Sequence, residues 1–227
     1  MYEEAIVLLS GGLDSTTCLA WAVRNYASVR TITFAYGQKH RIELAAAARV
    51  SAEFEVDNIV MRLPAECFQE TALTDRNGAE PVTAGSMNPD GLPKTFVPAR
   101  NLVFLSLSAG MAYRKGGGAA DLVIGANDVD YSGYPDCRPE SILAAQIAVR
   151  NSLGAPDMAI QAPLLGLSKP EIILLLIDLY PSRWEELLAM TVSCYNGDKS
   201  GCGECDSCRI RANAFRLLHI DDPAKGK

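Results

Sequence analysis

Residues 5–15 constrain the fold more than any other stretch. Ala5-Ile6-Val7-Leu8-Leu9 is an uninterrupted apolar run, and Ser10-Gly11-Gly12-Leu13-Asp14-Ser15 follows without a spacer. A run that is apolar at every position reads as a strand covered on both faces, as in the middle of a parallel sheet. The glycines let the backbone turn so that successive N–H groups face one concavity. A helical stretch from Ser15 to Arg24 then aims its positive end at the same point, which makes an anion site.

The alternation continues along the chain. Val29 to Phe34 and Asn58 to Leu63 read as strands, with an Ala- and Glu-rich helix, Arg41 to Phe54, between them. This βαβαβ order implies a parallel sheet flanked by helices. Asn101 to Lys115 is expected as a helix stopped by Gly116-Gly117-Gly118, and Pro139 to Asn151 as another. Asp121 to Ala126 and Met158 to Ala162 supply a fourth and a fifth strand. Ser168-Lys169-Pro170-Glu171 is a capping box that opens a helix through Tyr180, and Ser182-Arg183-Trp184-Glu185 repeats the pattern. A last helix spans Arg209 to Leu218. The expected fold class is α/β: a parallel five-stranded sheet flanked by helices over residues 1–180, with a small helical region, 181–227, packed on it. Pro64 to Pro98 breaks the rhythm and has the length of a functional lid.

Charge and composition narrow the partners. A net charge of -6 gives no basic excess for a polynucleotide. No run approaches the roughly 18 apolar residues that span a bilayer, and Met1-Tyr2-Glu3-Glu4 is acidic where a secretory signal is basic. A cytoplasmic protein without nucleic acid or membrane partners is expected. Seven cysteines in such a compartment point to thiol, metal or core roles rather than to disulfides.

Four of them lie close together as Cys194-x7-Cys202-x2-Cys205-x2-Cys208, with Gly201 and Gly203 allowing a tight wrap. Four thiolates around one ion make a closed, structural Zn²⁺ site, and an iron–sulfur cluster is the rival occupant.

The loop carries neither the P-loop lysine nor the Rossmann glycine spacing. S-G-G-x-D-S in this position instead resembles the PP-loop ATP pyrophosphatases, which cleave ATP between its α- and β-phosphates and adenylate a substrate oxygen. That resemblance implies an ATP site formed by Leu9, Ser10, Gly11, Gly12, Leu13, Asp14, Ser15, Thr16, Thr17, Cys18 and Leu19. A glycine turn with Asp14 as a helix cap is the purely structural alternative. A helix terminus contributes only about 0.3–2 kcal/mol toward an anion, so a triphosphate also needs Mg²⁺ and basic side chains. Asp14 suits the Mg²⁺ contact, and Lys39, Arg41, Arg100 and Lys169 are the candidate cations; Ser10, Asp14, Ser15, Arg100 and Lys169 form the expected catalytic set.

Further motifs follow the strands: Tyr36-Gly37-Gln38-Lys39-His40, Val97-Pro98-Ala99-Arg100-Asn101, Tyr131-Ser132-Gly133-Tyr134-Pro135-Asp136-Cys137-Arg138 and Leu167-Ser168-Lys169. Together with the cysteine tail they resemble the 7-cyano-7-deazaguanine synthase family over nearly the whole chain. Ala99 stands where some members have Gly, and Ser141 where an aromatic residue is frequent. The resemblance implies conversion of 7-carboxy-7-deazaguanine, ammonia and ATP to the nitrile, zinc on the four cysteines, and a homodimer. Tyr36, Gln38, Tyr131, Tyr134, Asp136 and Arg138 are then the expected substrate contacts: rings to stack on a planar base, Asp136 to accept from its N–H edge, Arg138 to pair with its carboxylate. A PP-loop tRNA thiolase or lysidine-type ligase is the enzymatic alternative, and a zinc-finger interaction module the non-enzymatic one.

Overall fold

The computed structural model describes residues 2–38, 41–68, 70–74, 81–114, 118–129 and 133–225. Strands β1 (Tyr2–Leu8), β2 (Tyr26–Ala35), β3 (Asn58–Arg62), β4 (Asp121–Val123) and β5 (Ile160–Gln161) form one sheet in the order β3-β2-β1-β4-β5. Every neighbouring pair is parallel. β1 occupies the centre, as its unbroken apolar run requires. Ala5, Val7 and Leu9 face one layer, and Ile6 and Leu8 face the other.

The helices divide between those layers. On one face α3 (Arg100–Ala112) and α4 (Pro139–Leu153) bury Leu105, Ala109, Ile142 and Val149 against Ile6, Leu8, Ile32 and Leu122. On the other face α1 (Leu13–Asn25), α2 (Ile42–Glu53) and α5 (Lys169–Leu179) pack on Ala5, Val7 and Val123. Two C-terminal helices, α6 (Trp184–Ala189) and α7 (Asp206–Leu218), send Leu187, Leu188, Ala214 and Phe215 into that same core. The chain moves outward from β1 to β3, then crosses back to place β4 on the other side of β1. The crevice beyond the carboxyl ends of β1 and β4 is therefore a topological switch point, where open α/β sheets build their sites.

Several elements differ from expectation for readable reasons. β4 and β5 are shorter than expected, and side chains take over backbone donors at the start of β5. Asp121 Oδ1 accepts the Ala159 N–H at 2.7 Å, and Gln146 Oε1 accepts the Ile160 N–H at 2.8 Å. The capping box at Ser168 is present, but Ser182 caps nothing: the N-cap of α6 is Arg183, and the Tyr180 carbonyl accepts the Arg183 and Trp184 N–H groups at 3.0 Å each. The described parts of the stretch expected as a lid are packed down. Val82, Thr95 and Val97 are buried, and the Ala84 N–H donates to the Glu204 carbonyl at 2.8 Å. Residues 69 and 75–80 of that stretch lie outside the described residues. Among the described residues no helix is long and apolar enough to cross a membrane.

The C-terminal region is tied down by one buried ion pair. Arg211 Nε and Nη2 each donate to Asp222 at 2.8 Å, with side chains only 8% and 5% exposed. Arg211 Nη1 also reaches Thr191 Oγ1 at 2.7 Å. Removing one partner of such a pair leaves a buried charge unbalanced, at a cost of about 3–5 kcal/mol. Asp222→Ala is expected to lower the unfolding free energy by that amount in urea denaturation. A loss below about 1 kcal/mol, the range of an exposed pair, would show that water solvates the guanidinium.

Candidate active site

The loop after β1 closes on the first turn of α1. Ser15 Oγ lies 3.0 Å from Ser10 Oγ, accepts the Ser10 N–H at 3.2 Å and donates to the Gly12 carbonyl at 3.1 Å. Gly12 is the N-cap of α1, and no side chain caps the helix, so its first N–H groups are left to face the crevice. Gly11 has φ +85°, and a Cβ there would stand 2.5 Å from the Ala47 nitrogen and 2.6 Å from the Glu43 carbonyl oxygen. Only glycine allows the loop to lie this close to α2. Gly125, just past β4, plays the same part from the other side, since a Cβ there would meet the Asp14 carbonyl carbon and the Ser15 nitrogen at 3.3 Å.

Lys169, first residue of α5, reaches across to Asp14, with Nζ donating to Oδ1 at 2.6 Å and to Oδ2 at 2.8 Å. The capping box holds that end of α5, because Glu171 Oε2 accepts from both the N–H and the hydroxyl of Ser168. Asn127 joins the loops after β4 and β5: its Nδ2 donates to the Leu167 carbonyl at 2.6 Å.

Loop and aromatic wall border one cavity of about 300 Å³. Phe34 and Phe104 stack with ring centroids 4.1 Å apart, and Tyr36 meets Phe104 edge-on at 5.2 Å. Arg100 Nη1 donates to the Tyr36 hydroxyl at 3.3 Å. Burial opposes the Arg100 charge, but Tyr36, Tyr134 and Asp136 outweigh it and hold the guanidinium pKa above its ordinary value. Tyr134 donates its hydroxyl to Thr95 Oγ1 at 2.6 Å. Burial pushes the Glu43 carboxyl up to about 7, against the pull of Arg100. Ala99 adopts the left-handed conformation, φ +58°, just before α3, a region that favours glycine.

The structure thus brings Leu9, Ser10, Gly12, Leu13, Asp14, Ser15, Tyr36, Gln38, Arg100, Tyr134 and Lys169 onto one cavity. Gly11 supports the loop from behind. Thr16, Thr17, Cys18 and Leu19 are buried within α1, away from the cavity lining. Gln38 is spent largely on its own turn: Oε1 accepts the Tyr36 N–H at 2.8 Å and Nε2 donates to the Phe34 carbonyl at 3.1 Å. Asp136 stands behind the cavity, where Oδ2 accepts the Asn101 N–H at 3.1 Å in the first turn of α3, while its buried Oδ1 has no hydrogen-bond partner. Arg138 is exposed as the N-cap of α4, outside the lining, and Ser141 Oγ donates to the Pro135 carbonyl at 2.7 Å. Arg41 is also exposed, and Lys39 and Tyr131 lie outside the described residues.

The four cysteines converge as their spacing implies. Their sulfurs all lie within 4.8 Å of one another, and Cys202 Sγ and Cys208 Sγ are 3.9 Å apart. A tetrahedral ion with arms of ~2.3 Å separates its sulfur ligands by about 3.8 Å, so a single ion fits. Burial works against a Cys202 thiolate, yet N–H groups of Cys205 and Glu204, at 3.4 Å each, and the Asn196 amide at 3.3 Å hold its pKa below the ordinary value. Asn196 also grips Val82 through both backbone groups, at 2.7 and 3.0 Å. Cys194 and Tyr195 then continue into the lining of the cavity.

Residues 4–219 match the family described as Queuosine biosynthesis protein QueC. The chain belongs to that family. It is 44% identical over 230 residues to the 7-cyano-7-deazaguanine synthase of Pseudomonas putida (strain W619), covering 98% of each chain. It is 42% identical over 226 residues to the 7-cyano-7-deazaguanine synthase of Chromobacterium violaceum, covering 97% of this chain and 92% of that one.

Among the lining residues that escape a reading of the sequence are Phe104, Glu43, Gly125, Asn127 and Tyr195. A glycine at a strand end beside the switch point, and a tyrosine next to a metal-ligand cysteine, were signals for two of them. Glu43 sits in an Ala-rich helix and carries no local signal. Because a metal site couples binding to folding, Cys205→Ser should lose metal and melting temperature together. Elemental analysis beside thermal unfolding checks this, and a variant that loses the metal but keeps its melting temperature would remove the cluster from the folding of the chain.

Proposed function

We propose that the protein makes 7-cyano-7-deazaguanine, the product its relatives' names give, from 7-carboxy-7-deazaguanine and ammonia at the expense of ATP. The observation that carries this reading is the joining of two unlike surfaces in one cavity. The S-G-G-L-D-S loop with Lys169 suits a polyphosphate, and the wall of Tyr36, Phe104, Arg100 and Tyr134 suits a planar heterocycle bearing a carboxylate.

A carboxylate oxygen is a poor leaving group, and transfer to AMP makes it a good one. The uncapped N–H groups of α1 and the hydroxyls of Ser10 and Ser15 receive pyrophosphate. Lys169 turns its charge from Asp14 to the phosphates, and Asp14 is the carboxylate that would hold Mg²⁺, whose chemistry is to neutralise phosphate charge. Arg100, kept cationic, orients the carboxylate between the rings. Attack by ammonia gives the amide. A second activation on the amide oxygen releases pyrophosphate; loss of both protons from nitrogen and cleavage of the C–O bond, with AMP taking the bonding pair, then give the nitrile. With one phosphate loop in the sequence, both activations use the same place. The cysteine cluster holds Zn²⁺ in a closed structural role; sulfurs this close favour one ion over a 4Fe–4S cluster, which puts each thiolate on a different iron. Small molecules are the partners, and the protein acts as a cytoplasmic homodimer.

Asp14→Asn is expected to fold and to lose about 10²–10³ in kcat, the scale of one charged contact in a shielded site. Near-normal turnover would take Asp14 out of the mechanism. The repeated activation is checked by substituting 7-amido-7-deazaguanine for the acid without ammonia. The same nitrile should form, with about one AMP per nitrile from the amide and about two from the acid, as two successive adenylations require. An inert amide, or ADP as the nucleotide product, would contradict the scheme.

A further inference from the structure

Glu43 stands in the first turn of α2, where that helix packs on the phosphate loop beside Gly11. It lines the same cavity as Arg100 and Asn101, and Tyr36, Tyr195 and Arg100 all feel its charge. Only one other carboxylate, Asp14, belongs to the described lining, and Lys169 grips both of its oxygens. Glu43 has no such partner: among the described residues its carboxyl makes no hydrogen bond and no ion pair. A carboxylate kept in a cavity without a fixed partner is costly, and nothing in the activation of the acid uses it.

The nitrogen substrate supplies the missing need. At neutral pH it is almost wholly ammonium, a small cation with no lone pair, and the rest of the cavity, with a helix N-terminus, Lys169 and Arg100, repels it. It needs an anion to hold it and a base to take its proton. An acidic side chain that shares its cavity with Tyr36 and Tyr195 is suited to a small cation, and an acid that titrates near the working pH is suited to proton transfer.

We propose that Glu43 is the ammonium-binding residue and general base of the C–N bond-forming step. This rests on the two-step reaction given above. As the nitrogen attacks the acyl carbon, the C–N bond forms and the C–O bond to AMP breaks. Of the two protons that ammonium loses in becoming the amide nitrogen, Glu43 takes the first and solvent the second. AMP departs with the bonding pair.

The amide substrate needs no ammonium, so the two half-reactions separate this role from a structural one. Wild-type protein, Glu43→Gln and Glu43→Asp are compared at saturating ATP, on the acid with varied ammonium chloride and on the amide alone. Glu43→Gln should lower kcat/KM for ammonium by about 10²-fold or more, while amide turnover falls by less than about three-fold. Glu43→Asp, which keeps the charge one methylene further back, should lie between. Hydroxylamine, uncharged at neutral pH, should restore much of the Glu43→Gln rate on the acid, read as the hydroxamate. Equal losses on acid and amide, or an unchanged ammonium dependence in either variant, would overturn the assignment. Wild-type protein that turns over the acid but not the amide would overturn the two-step scheme alone, and Glu43 would then be judged by ammonium dependence and hydroxylamine rescue.

Discussion

Gly11 is the point at which three parts of the molecule touch backbone to backbone. Its missing side chain lets the loop after β1 settle on α2, against Ala47 and the Glu43 carbonyl. Its own carbonyl accepts the Val192 N–H at 3.0 Å, which anchors the segment leading to the first cysteine of the cluster. The loop after β1, the Glu43 helix and the cysteine region therefore hold fixed positions relative to one another because one residue has no Cβ. Any larger residue would push them apart and would also have to adopt a left-handed backbone.

Electrostatically the cavity has two ends. At one, the α1 N-terminus and Lys169 gather positive potential around Asp14; at the other, Arg100 is embedded among tyrosines with Asp136 behind it. Lys169 sits in the first turn of a helix, where the macrodipole disfavours a cation. Its place there makes sense through the carboxylate that faces it and the anion that the site is shaped to receive. In the proposed reaction a carboxylate meets a polyphosphate, and positive groups at both ends would reduce the repulsion between these like charges.

Much of this could be read from the chain alone, and what could not has physical causes. β1 was legible because a strand buried on both faces must be apolar throughout, and the cysteine cluster because metal ligands in a short wrap need close spacing. Asp14 and Lys169, 155 positions apart, were each legible as the start of a helix following a strand, although their pairing was not. β5 was overestimated because its backbone donors go to Asp121 and Gln146, which no local pattern reveals. The Asp136–Arg138 run pointed to substrate contacts, whereas the fold uses Asp136 behind the cavity and leaves Arg138 on the surface. Glu43 was invisible, since its meaning depends on what α2 packs against.

The sequence 194–195 has a mechanical consequence. Cys194 belongs to the four-sulfur cluster and also lines the cavity, and Tyr195 beside it hydrogen-bonds to Tyr134 within the field of Arg100. The cysteine cluster is therefore built into the wall of the cavity. Oxidation of a single thiol would disturb that wall as well as the cluster, so the shape of the cavity depends on conditions that keep the thiols reduced.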